Sequence, residues 1–156
     1  MMIKREGVNM YRILLFILFF SFYLKTSNVI AQAIDCELLA IKASIDGRYI
    51  DSSLNRYRIQ LSRPPFTAFT TFKLIKKKNI RLGLKKRVNF RLIKGRINGF
   101  IIFEKRKGNF YNLRLILFKK RRELLRTLVS VLKGRPFFIA GPSLKNGTLI
   151  IGIICR

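Results

Sequence analysis

The chain has no histidine, no tryptophan, two cysteines and only seven acidic residues in 156. The missing histidine excludes imidazole-ligated metals and acid–base chemistry built on imidazole, including a Ser–His–acid triad. Two thiols cannot make a four-thiolate zinc site. No D-x-D, H-E-x-x-H or C-x-x-C pattern occurs, so metal chelation and dithiol redox chemistry lack their usual spacing. Gly134-Arg135-Pro136 and Gly141-Pro142 do not have the spacing of a phosphate loop and read as turns. A single long apolar run is free of charge, which excludes a polytopic membrane protein. What remains is abundant: apolar residues make up 49%, with 14 Phe, enough for a packed core rather than a disordered chain. The 33 Lys and Arg give a net charge of +26.

Residues 1–33 have the three parts of an export signal. Lys4, Arg5 and Arg12 form a positive opening, Ile13 to Leu24 a charge-free apolar run, and Ala31-Gln32-Ala33 a small-residue cleavage site. Met10 offers a second, more compact start. The run is shorter than the roughly 20 apolar residues of a membrane span. An uncleaved inner-membrane anchor over residues 13–24 is the competing reading. Asp35 just before Cys36 does not fit a lipoprotein signal. Residues 34–156 are then one exported domain, periplasmic, outer-envelope or secreted. Without Lys4, Arg5, Arg12, Lys25 and Glu6 it holds 29 bases and 6 acids, a net charge of +23.

Cys36 opens this domain and Cys155 nearly ends it. In an exported protein a lone pair reads as a disulfide, here tying the first strand to the last. Two buried free thiols are the cytosolic alternative.

Residues 36–44 read as a strand entering the core. Ile50, Leu54, Tyr57 and Leu61 then fall on one helical face, with Asp51 or Ser52 as cap and Pro64-Pro65 as stop. After the helix the pattern has period two. Phe66 to Ile75 is β-prone, and Lys76-Lys77-Lys78 reads as a turn. Ile80, Leu82 and Leu84 alternate with polar residues, as do Val88, Phe90 and Leu92. Phe100–Lys105 and Phe110–Lys119 flank a turn at residues 106–109 and read as a hairpin. Residues 123–132 allow helix or strand, and strand fits the series of short β runs. Phe137–Ala140 and Thr148–Cys155 flank a turn holding Asn146-Gly147. The fold expected is mainly β with one helix near the N-terminus (α+β), an antiparallel meander forming a sandwich or a partly open barrel.

Four basic clusters fall at predicted turns or strand ends: Lys76-Lys77-Lys78, Lys85-Lys86-Arg87, Lys105-Arg106-Lys107 and Lys119-Lys120-Arg121-Arg122. Gathered at one rim, they would hold polyanions by charge. In an envelope the fitting partners are anionic lipid head groups, lipopolysaccharide or an acidic cell-wall polymer, alongside an envelope protein. Solvated lysines guarding sheet edges are the plainer account. Nucleic acid is a rival partner, since bases interleaved with aromatics track phosphates. Arg96, Gly99, Phe100 and Phe103 match part of an RNA-recognition strand, but Asn98 stands where a stacking aromatic belongs. A core strand reads better.

The acids give little catalytic pattern. Asp51 fits a helix cap, and Glu104 and Glu123 sit among bases as their ion-pair partners. Ser130 and Ser143 could each serve a Ser–Lys pair, but no local pattern selects one. The expectation is no enzyme, no catalytic residue, no metal, no cofactor and no small-molecule substrate.

Residues 136–142 (PFFIAGP) and 146–153 (NGTLIIGI), with the early strand Leu39–Ser44 and a short helix ending in Leu61, resemble small exported β-rich proteins of Gram-negative bacteria, deltaproteobacterial in type. Those proteins have no established activity, so the resemblance implies an exported β-rich fold and no site residue. This chain departs from them in its charge and its cysteine pair. The function expected is a non-enzymatic envelope protein binding an anionic surface or a protein partner. A nucleic-acid module is the alternative if residues 1–33 are not an export signal.

Overall fold

A computed structural model describes residues 32–93 and 96–156. Residues 1–31, which hold the expected export signal except Gln32 and Ala33, together with the alternative anchor over 13–24, lie outside the described residues. Among the described residues nine strands form two sheets: β1 (Ala33–Ser44), β2 (Tyr49–Ile50), β3 (Thr71–Gly83), β4 (Arg87–Ile93), β5 (Ile97–Lys107), β6 (Phe110–Lys119), β7 (Arg122–Leu132), β8 (Phe137–Leu144) and β9 (Gly147–Cys155). The order is β2-β3-β1-β9-β8 in one sheet and β4-β5-β6-β7 in the other. All pairs are antiparallel except the two-residue β2–β3 contact. The mainly β, sandwich-like α+β architecture expected from period-two alternation is present, and of the two forms anticipated it is the sandwich, with no closed barrel among the described residues.

Alternation decides the layers. In β6 Tyr111, Leu113, Leu115 and Leu117 point inward, and they pack with Phe103 of β5, Leu38 of β1 and Ile151 of β9. Phe103, Leu38, Leu113 and Leu115 are fully buried. Each such side chain contributes about 1.5–3 kcal/mol by leaving water. The five-stranded sheet is covered on its second face too. Leu39 and Ile41 of β1 and Ile150 and Ile154 of β9 meet Leu54, Tyr57, Leu61 and Phe66 there. Burial on both faces is why β9 reads GTLIIGIIC, an almost unbroken apolar run.

The helical segment begins as a 3-10 turn at Ser52–Tyr57 and continues as α1 (Arg58–Leu61). Asp51 caps it as expected, its carboxylate accepting from the Ser53 amide at 3.0 Å. Pro64-Pro65, a cis peptide, lies just beyond its end. The segment is shorter and tighter than a regular helix over 50–61. Four α-helical residues suffice because Leu54, Tyr57 and Leu61 already reach the sheet.

Two expectations are corrected. Lys76-Lys77-Lys78 is no turn but the middle of β3, paired with Ala40, Leu39 and Leu38. β2 covers only Thr71 and Phe72, so beyond them β3 has one unpaired edge, and lysines are tolerated there. The chain is also no plain meander, because β9 returns to pair with β1. There Cys36 stands directly opposite Cys155, with Cα atoms 4.1 Å apart, and the two form a disulfide. Residues 123–132 fall in a strand, and the hairpin around residues 106–109 is β5–β6. The last turn tightens to Lys145-Asn146, with Asn146 at φ 60°.

Candidate functional site: a basic rim and an arginine–aromatic face

Antiparallel pairing fixes where each basic cluster lies. Arg87 faces Ile102, and the Lys85 amide donates to the Phe103 carbonyl at 2.7 Å. Lys85–Arg87 therefore shares one end of the four-stranded sheet with Lys105–Lys107. Phe110 and Leu132 are at that end too, in register with Lys107 and with each other. The 133–136 connection joins them, since the Lys133 amide donates to Asn109 O at 2.8 Å. This rim mixes cations with exposed apolar side chains, Phe110, Leu132 and Phe137, which are 47%, 37% and 37% exposed. The expectation of one common rim is corrected for the other clusters. Lys119–Arg122 forms the β6–β7 turn at the opposite end, and Lys76–Lys78 lies along β3.

The outward face of the same sheet carries the alternate residues. Arg87, Asn89 and Arg91 of β4 lie beside Asn98, Phe100 and Ile102 of β5. Arg114, Ile116 and Phe118 follow on β6, then Arg126 and Leu128 on β7. Phe100 and Phe118 stack at 6.0 Å between ring centroids. The Arg87 guanidinium lies 3.7 Å above the Phe100 ring, and its Nε donates to Asn89 Oδ1 at 3.0 Å. Stacking and the hydrogen bond hold the guanidinium in one plane, leaving its terminal nitrogens open. A groove of about 340 Å³ runs here, lined by Lys78, Arg87, Asn89, Arg91, Asn98 and Phe118 among others.

The acids near this face are neutralised. Glu104 accepts from Lys85 at 2.6 Å and from Arg114 at 2.8 Å. The hydrogen bond from Lys85 outweighs partial burial and lowers its pKa. Glu123 is held by Arg126 at 2.6 Å, which lowers its pKa in the same way. Both pairings follow the sequence expectation. Among the described residues no carboxylate reaches ion-pair distance of Lys78, Arg87 or Arg91.

A second polar cluster anchors the helical segment. Glu37 of β1 accepts from Arg56 at 2.6 Å, Tyr57 at 3.0 Å and Lys77 at 2.6 Å. Of the two serines considered for a Ser–Lys pair, Ser130 donates to Asn112 at 2.9 Å, and Ser143 is exposed on β8. In the RNA-like fragment Phe103 is fully buried while Phe100 faces outward. Among the described residues no helix is long and apolar enough to cross a membrane.

The sequence reading named Arg87 but missed Arg91, Asn98, Phe100 and Phe118 as its neighbours. Phe100 and Phe118 could have been found only from their phase, since each is out of step with the residues of its own strand that enter the core between the sheets. The chain matches no known protein family, no curated protein and no solved structure.

Proposed function

We propose that this protein is a non-enzymatic, exported β-sandwich that docks on anionic envelope surfaces through the basic rim of its four-stranded sheet. One observation carries the reading: Lys85–Arg87 and Lys105–Lys107 meet at one end beside exposed Phe110 and Leu132. Cations beside apolar side chains suit a lipid interface, where head-group charge attracts and the acyl boundary receives the apolar groups. The disulfide supports an oxidising compartment, which fits export to the periplasm or beyond. The partners of matching chemistry are anionic lipid head groups and lipopolysaccharide.

Vesicle co-sedimentation tests this. Binding to vesicles containing anionic lipid is expected at low salt and should fall steeply toward 0.5 M salt, an ionic strength that screens beyond about 4–5 Å. Zwitterionic vesicles should not be bound. Reversing Lys105 and Lys107 to Glu should weaken binding about tenfold or more, at roughly 1 kcal/mol per charge near the surface. Binding that ignores both salt and lipid charge would reject the reading.

Single-stranded nucleic acid is a second reading, favoured by the Phe100–Phe118 stack beneath Arg87. It predicts an oligonucleotide affinity that falls linearly in log–log plots against salt and exceeds the vesicle affinity at matched ionic strength. The disulfide weighs against it.

A further inference from the structure

The groove on the outward face differs in chemistry from two other grooves on the molecule. One of those is lined by Asp35 and Glu37 with Arg81 and Arg156, and the other contains Asp46. Each offers a bound anion a repelling carboxylate. The groove at β4–β5 has Lys78, Arg87 and Arg91, the side-chain amides of Asn89 and Asn98, and no acid. Three cations drawn from two sheets, with no counter-charge among the described residues, repel one another until an anion arrives.

Geometry narrows the anion. Arg87 is not a loose surface arginine. Its ring contact at 3.7 Å and its Nε bond to Asn89 fix the guanidinium plane, so little rotational freedom remains to be lost on binding. A fixed fork with two free terminal nitrogens matches two oxygens of one tetrahedral group. Lys78 and Arg91 supply further charge from the groove wall, and Asn98 can donate an amide proton. A phosphate ester uses such a set more fully than a carboxylate, because it presents more acceptor oxygens and, as a monoester, more charge.

We infer that the β4–β5 groove is a phosphate-ester subsite, with Arg87 as its fork and Lys78, Arg91 and Asn98 as supporting donors. The inference rests on the anionic-surface reading and deepens it: the rim supplies general attraction, and this groove selects phosphate among anions. The phosphate can belong to a lipid head group or to a free phosphate ester, and a lipid head group is favoured because the rim with Phe110 and Leu132 adjoins the same sheet face.

The test uses the oxidised protein and two anionic vesicle types of equal zeta potential. One contains phosphatidic acid, a phosphomonoester, and the other oleate, a carboxylate. A preference of about fivefold or more for the phosphate vesicles is expected in the parent protein and a loss of that preference in Arg87→Lys, which keeps the charge but not the fork. Arg63→Lys, an exposed arginine just past the helical segment and outside both groove and rim, should keep the full preference. Thermal melting of Arg87→Lys should match the parent, which separates lost recognition from lost fold. Glycerol 1-phosphate, followed by amide chemical shifts, should perturb Arg87, Asn89, Arg91 and Asn98. Equal binding to both vesicle types, or a preference untouched by Arg87→Lys, overturns the subsite while leaving surface docking intact. Shifts with glycerol phosphate but no vesicle binding keep the subsite, assign it a free phosphate ester and reject docking. Displacement of glycerol phosphate by an oligothymidylate that binds more tightly than either vesicle would reject the head-group assignment.

Discussion

Glu37 gathers a hydroxyl and two cations on one carboxylate, and the arrangement has consequences at both ends of the pH scale. Burial alone would raise its pKa, but the hydrogen bonds from Lys77 and Tyr57 and the charge of Arg56 outweigh that, and the net direction is down from 4.5. Tyr57 goes the other way. Burial first, then its bond to Glu37, raises the phenol from 10.0 to about 12. A lowered carboxylate pKa contributes stability that is present above 4.5 and lost as pH falls through the folded value. A raised phenol pKa contributes stability that is present below 10.0 and lost as pH rises toward 12. The melting temperature should therefore hold level between these limits as far as this pair is concerned. Glu37→Gln should lower stability by about 1–2 kcal/mol near neutral pH and flatten the acid limb. Thermal melts from pH 2 to 7 would check both. Ultraviolet titration should show the Tyr57 phenol resisting ionisation to about pH 12, and Glu37→Gln should bring it down.

At the scale of elements, two glycines separate space from backbone conformation. A Cβ on Gly152 of β9 would come within 2.7 Å of the Phe138 ring and 3.2 Å of Leu39 Cβ. Gly152→Ala should thus cost about 1–3 kcal/mol by overpacking. Gly108 in the β5–β6 turn has open space around it but φ +57°, and Gly108→Ala should cost about 1 kcal/mol from the left-handed backbone alone. Urea unfolding of both variants measures the difference. The turn at Gly108, the strand over 123–132, the Asp51 cap and the first-to-last cysteine pairing were all legible in the sequence, because each depends on local chemistry or on a count. β3 was not legible as one strand. Its triple lysine looks like a turn until one knows that β2 leaves most of its edge open, and the irregularity opposite Ala40–Ile41 re-phases the alternation. The arginine–aromatic face was hidden for a related reason. Arg87, Phe100 and Phe118 lie on three strands, and only the pairing register brings them into line.

For the molecule as a whole, the two sheets are built in different ways. β4 to β7 are consecutive, each hairpin pairing with the next, whereas the other sheet joins residues 119 positions apart at the disulfide. Reducing that bond should lower stability by about 3–5 kcal/mol, as expected for so long a closed loop, and the urea midpoint with and without reductant would measure it. Reduction should leave the β4–β5 groove intact at temperatures below melting, because the disulfide joins β1 to β9 and all but Lys78 of the groove belongs to β4–β6. The position of β9 also fixes a timetable. A chain that leaves the ribosome from its N-terminus presents β1 before the other described strands, yet β9, one of the two strands that flank β1, follows all of them. The contiguous sheet can form while the chain is still growing, but the other stays open along its middle until the nine residues of β9 arrive. Until β9 is made, the edge of β1 that it covers stands bare, in whatever compartment the chain folds.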